Sequence, residues 1–192
     1  MKAFGNIAKD GQVRAVASGA LTDGKPVIVN TDGTVSEVTQ TAASLGTEGA
    51  FNALNSVYNT TVFDSSNNKH IIVYGHSSNM RYVVATVASD GGVTFGTDAV
   101  VLSGNHQDIA SAFDSTNNRI VVAVRNANDS NHGYAMVGSL SGTTVTWGSP
   151  AEFNNANTNQ MGISFDSTAG KVVISYRNYG NSSYGTAIVG TV

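Results

Sequence analysis

Apolar and polar residues alternate in short runs along most of the chain, and the runs are bounded by Asn, Asp, Gly and Ser. Residues 108–148 show the pattern best: "DIASAF" at 108–113, "RIVVAV" at 119–124, "YAMVGSL" at 134–140 and "TVTWG" from 144. A period of two puts alternate side chains on opposite faces of a pleated strand. Val, Ile and Thr favour such strands, while the bounding residues favour tight turns. The pattern predicts an all-β chain of short antiparallel strands. Helical spacing is approached only in "EGAFNALNS", 48–56, and only weakly.

The pattern repeats. "TVFDSSNNKHIIVYGH" (61–76), "ASAFDSTNNRIVVAVRN" (110–126) and "ISFDSTAGKVVISYRN" (163–178) are versions of one phrase, with Phe63, Phe113 and Phe165 spaced 50 and 52 residues apart. A period near 50 with about four strands per unit is the range of propeller blades. The predicted fold is therefore a propeller-like domain of about three four-stranded antiparallel units, at 56–102, 104–153 and 157–192, within a repeat domain 46–192. Asp64, Asp114 and Asp166 are expected to build the turn between the first two strands of each unit, and Phe63, Phe113 and Phe165 to plug the core at the strand ends. Calcium or catalytic roles for these aspartates lack the further acids they would need. In the third copy Ala169-Gly170 replaces Asn-Asn, and Gly meets the same backbone need.

The third unit stops after "TAIVGTV", before a fourth strand, whereas "NTDGTVSEV" at 30–38 has the character of one. This segment is expected to complete the last unit of its own chain or of a neighbour. Three blades are few for a closed ring, and an open edge invites pairing, so a homo-oligomer is expected.

Composition narrows the function. Only 12% of residues are charged, the net charge is −3, and the five Lys and five Arg are scattered, unlike the basic stripe of a nucleic-acid binder. No apolar run has transmembrane length, so no membrane insertion is expected. The first sixteen residues lack the apolar core of a signal peptide. With no Cys there are no disulfides or thiolate metal sites. Assembly in a cytoplasm followed by release is the expectation.

Two resemblances follow from quoted residues. Asp90-x-Gly92-x-Thr94-Phe95, echoed by Thr146-Trp147, resembles the Asp-box of sialidase-like propellers, which implies a structural hairpin and no catalysis. The segment 16–38, "VASGALTDGKPVIVNTDGTVSEV", is similar to those opening phage head and tail decoration proteins. The "FD-S…K-V-V-I-x-Y-x-N…Y-G-x-A-x-V-G-T-V" phrases resemble repeat-rich structural proteins of marine bacteriophages. The resemblance runs from about Val16 onward and implies a virion component: a capsid decoration protein, fibre or tail appendage, with other virion proteins as partners. Residues 1–45 would then be a β anchor docked on the particle; the alternative is that they are only the first hairpin of the domain.

Candidate chemistry is sparse. Glu37, Glu48 and Glu152 are the only glutamates, and no motif sets two carboxylates across a glycosidic bond. His70, His76, His106 and His132 show no metal-ligand spacing. No enzyme activity, cofactor or metal is expected. Binding is the better candidate. The loop after the second strand of each unit (74–82, 124–134 and 176–185) is rich in Asn, Arg, Ser and Tyr, side chains that suit sugar rings and hydroxyls. His76, Arg125, Asn126, Arg177, Asn178 and Tyr179 are the candidates for binding host surface glycans; solvated turns are the alternative.

Overall fold

The computed structural model describes residues 15–38 and 46–192, and the chain divides into two compact units, Met1–Leu45 and Gly46–Val192. Parts of the expected anchor, 1–14 and 39–45, lie outside the described residues. The fold is all-β, with four antiparallel sheets.

In the first unit β1 (Val27–Val29) and β2 (Val35–Glu37) form a hairpin. Its turn is fixed by Asp32, whose Oδ1 accepts the Thr34 N–H at 2.9 Å and the Thr34 hydroxyl at 2.7 Å. β2 takes β1 as its strand partner and makes a parallel bridge with Ala17. The segment 30–38, expected to complete the last repeat unit, thus carries the turn and second strand of this hairpin.

The second unit holds three sheets built from the repeats. The first contains β3 (Val57–Asp64), β4 (Lys69–His76), β5 (Asn79–Val87), β6 (Val93–Phe95) and β7 (Ala99–Ser103). The second contains β8 (His106–Asp114), β9 (Arg119–Asn126), β10 (His132–Ser141), β11 (Thr144–Trp147) and β12 (Ala151–Asn154). The third contains β13 (Thr158–Asp166), β14 (Lys171–Asn178) and β15 (Tyr184–Gly190). Each runs as a meander. In the first two sheets the fourth position is shared by two short strands, β6 and β7 along β5, and β11 and β12 along β10. Among the described residues no strand takes that position in the third sheet. The weak helical signal at 48–56 forms bends and coil. Asn52 Oδ1 accepts the Leu54 N–H at 2.9 Å there, a local bond that competes with a helix.

The sheets stack in chain order. Ile71, Val73, Met80, Tyr82 and Val84 of the first pack on Ile109, Ile120, Val122, Val124 and Met136 of the second. The opposite face of the second sheet, through Ala123 and Ala135, packs on Met161, Ile163, Ile174, Tyr176 and Ile188 of the third. β9 is thus buried on both faces, which explains its unbroken apolar run. Polar pins cross the first of these interfaces. The Val145 N–H donates to the buried Tyr82 hydroxyl at 2.9 Å, and the hydroxyls of Thr60 and Ser111 lie 2.8 Å apart. The outer face of the third sheet is open: Ser164, Ser175, Gly185 and Ala187 are exposed, as is Val189 at 63%.

The aspartates act as expected. Asp64 Oδ1 accepts the N–H groups of Ser66 and Asn67, both at 3.0 Å, and Asp114 Oδ1 those of Thr116 and Asn117 at 2.9 and 3.0 Å. Asp166 Oδ1 accepts those of Thr168 and Ala169 at 2.9 and 3.0 Å. The following Asn68, Asn118 and Gly170 have φ of 52°, 55° and 63°, a left-handed position that Asn tolerates and Gly favours. The phenylalanines follow the expectation only in part, and Phe63 departs from it. Phe63 is 44% exposed and stacks on His70 with ring centroids 4.8 Å apart. Phe113 packs against the first core, and Phe165 is half-buried. In the second and third sheets the Phe lies on the face that looks back toward the preceding sheet, and Phe63 lies on the matching face of the first, opposite to Val62, Ile71 and Val73 of the core. At the β3 end the buried side chains are Val62 and Asp64, one residue to either side of Phe63.

Candidate functional site

Alignment of the three units places the candidate residues on common ground. Five residues before each repeated Phe stand Tyr58, Asp108 and Gln160, and twelve after it stand Gly75, Arg125 and Arg177. Tyr58, Asp108 and Gln160 all have left-handed φ, at 53°, 49° and 53°. Each sits where the register of the first strand slips against the second. Such bulges re-aim side chains and concentrate beside functional sites. The same strained conformation, held by three different side chains, is a property of the backbone design.

The structure uses this position differently in each unit. In the first, Gly75 faces a crowded wall: a Cβ there would lie 3.0 Å from the His106 carbonyl and 3.3 Å from Val57. In the second, the Arg125 guanidinium donates to Gln107 Oε1, and its Nε lies 3.3 Å from Asp108 Oδ2. In the third, Arg177 has no carboxylate partner among the described residues. Its guanidinium lies 4.7 Å from the centre of the Tyr179 ring, and Asn159 donates to the Tyr179 hydroxyl at 3.3 Å. Arg177, Gln160, Ser175, Ser183, Gly185 and Thr186 line an open recess of about 660 Å³ on the outer face of the third sheet.

The six glycan candidates are therefore distributed over three units. Arg177 and Tyr179 come together. Asn178 shapes their loop: its Oδ1 accepts the Gly180 N–H at 2.9 Å at the start of a single 3-10 turn, Tyr179–Asn181. Asn126 does the same in the second unit, accepting the Asn128 N–H at 3.1 Å. Arg125 is engaged within its own unit. His76 stands at a two-residue turn, with Nδ1 2.8 Å from the Asn55 carbonyl. The equivalence of the three loops thus holds for the second and third units only. Both carry consecutive left-handed residues, Ser130-Asn131 and Ser182-Ser183, where the first has the tight turn Ser77-Ser78. Gln160, Ser175 and Ser183 escaped notice in the sequence. The signal for Gln160 was its fixed offset from the repeated Phe.

A second polar group lies around β10. His132 Nδ1 is 3.1 Å from Glu152 and 3.7 Å from Asp129, and Tyr134 donates its hydroxyl to Asp129. That bond, with burial adding to it, pushes the Tyr134 phenol up to about 12. At neutral pH it remains a hydrogen-bond donor. On the first sheet Asp98 accepts from Tyr74 at 2.6 Å and pairs with Arg81 at 3.0 Å. Burial foremost, and then Asp98, raises the Tyr74 phenol to about 12. Among the described residues no group of three His, Asp or Glu is arranged to hold a metal ion. The hairpin that carries the Asp-box-like residues is set locally, with Asp90 Oδ1 accepting the Gly92 N–H at 2.9 Å. Comparison of the chain with protein-family models, curated proteins and solved structures found no match.

Proposed function

We propose that the chain is a non-enzymatic structural protein of a bacteriophage particle, a capsid decoration, fibre or tail appendage. Its first unit docks on other virion proteins and its repeats are displayed. The observation that carries this reading is the exposure of β1: Val27, Ile28 and Val29 are all exposed in a hairpin whose strands have three residues each. A two-stranded ribbon is marginal alone, and an exposed apolar strand marks a surface meant to be covered. The phage-like wording of 16–38 and of the repeats supports the same reading, as does the scarcity of Glu. In this account the stacked sheets are blades of a propeller-like segment, the assembled form is a homo-oligomer, and the protein is made in the host cytoplasm and leaves in the virion. The test is stoichiometric presence in purified phage particles from the source, with loss of incorporation when residues 1–45 are deleted. Absence from particles overturns the reading.

A second reading, a glycan-binding module, is favoured by the third-unit recess, where a guanidinium, an amide and hydroxyls line one open surface beside the Tyr179 ring. Arg177→Ala and Tyr179→Ala are expected to abolish binding in a glycan screen. Arg125→Ala, which breaks an internal pair, is expected to lower stability instead. A screen without a single hit sinks this reading and leaves the structural one standing.

A further inference from the structure

We infer that the recess on the third sheet is a subsite for the carboxylate of an acidic saccharide, with Arg177 as its cationic partner. The inference rests on the glycan-binding reading and names the ligand class. It comes from comparing two copies of one strained backbone position. In the second unit the bulge residue is an acid: Asp108, at φ 49°, sets its carboxylate 3.3 Å from Arg125. In the third unit the bulge is conformationally the same, with φ 53°, but carries Gln160, and the neighbour Gln107 becomes Asn159. The guanidinium has been kept and its internal carboxylate removed. The second unit shows what this scaffold does with an arginine here: it pairs it with a carboxylate. In the third unit no carboxylate of the described residues takes that place, and Arg177 lines the recess instead.

The surroundings fit a sugar acid. A planar guanidinium is a fork for a carboxylate, and that of Arg177 lies 4.7 Å from the centre of the Tyr179 ring, whose hydroxyl accepts from Asn159. Ser175 and Ser183 supply hydroxyl donors and acceptors in the same recess. Tyr179, 40% exposed, stands beside the recess and backs the Arg177 guanidinium. The floor is kept low where bulk would be tolerated: nothing lies within 4 Å of a Cβ added at Gly185.

The test is calorimetric titration of the full chain at low salt with a galacturonic acid oligosaccharide and with its fully methyl-esterified form, which keeps the rings and loses the charge. The acid is expected to bind at least tenfold more tightly than the ester. Arg177→Gln should remove that difference. Gln160→Asp should do the same by restoring the internal pair of the second unit. Gly185→Val should block both ligands while retaining the fold, checked by circular dichroism. Equal binding of acid and ester, unchanged in Arg177→Gln, overturns the carboxylate assignment and leaves the glycan reading intact. If neither probe binds, the carboxylate assignment is overturned, and a screen of neutral glycans then decides the glycan reading separately.

Discussion

At the residue scale, the repeated aspartates show how one side chain takes on different weight in different surroundings. Asp114 is fully buried, and Asn117 Nδ2 donates to its second oxygen at 2.9 Å. In the third unit Ala169 cannot make that bond, and Asp166 is exposed. Asp114→Ala is expected to cost about 2–3 kcal/mol and Asp166→Ala about 1, measured by urea denaturation. Burial pulls the Asp114 carboxyl upward, yet the Asn117 side chain, the Asn117 and Thr116 N–H groups and Arg119 together hold it below 3.8. The unfolded chain takes up this proton first as pH falls, so this stability is present above 3.8 and is lost as pH drops through the folded value. His106 works at higher pH. Burial holds its imidazole below 6.5, opposed by the Gly104 carbonyl. Stability is therefore full above about 6.5 and declines as pH falls below it, because the unfolded chain then gains a proton the fold resists. The difference in urea midpoint between the wild type and His106→Gln, followed from pH 8 to pH 5, is expected to shrink toward the acid end. The aspartate turns were legible in the sequence because their chemistry is local. The fate of Phe63 was not, because exposure there depends on whether another sheet precedes it.

At the element scale, strand positions in the second unit were readable to within about two residues, since alternation and turn residues are both local signals. What the alternation could not give is the division of the fourth strand position into two short pieces, or the bulge that puts Asp108 and Gln160 in left-handed backbone. Both are set by pairing across strands. The pieces matter for packing. A Cβ at Gly138 would come within 2.7 Å of Val145 Cγ1 and 2.8 Å of the Trp147 ring, so β11 lies flat against β10 only because that residue has no side chain. Gly138→Ala is expected to cost about 1–3 kcal/mol by overpacking. Tyr82→Phe, which leaves the Val145 N–H without its partner, is expected to cost about 1–3 kcal/mol. Both are measured as losses in denaturation midpoint.

At the scale of the repeat stack, the second sheet offers one face to its predecessor and the other to its successor, and the two are chemically distinct. The successor face of the second sheet carries Ala110, Ala112, Val121, Ala123, Ala135 and Val137, and the corresponding face of the third carries Gly162, Ser164, Val173, Ser175, Ala187 and Val189. Sizes are kept small in both, but Ala112 and Ala123 give way to Ser164 and Ser175, a wetted version of the same surface. Ser175→Ala is expected to change stability by less than about 0.5 kcal/mol, and Ala123→Ser to cost about 1–3 by enclosing a hydroxyl between sheets. The directionality also sets terms for how such a chain lengthens over generations. A tandem duplication of the middle unit would drop in with both surfaces already matched, extending the gene by some fifty codons at little cost in folding. Copying the third unit would trap serines in its new interior. Duplication of the middle unit, with the third carried along unchanged, is the cheaper genetic route that this pair of serines leaves open.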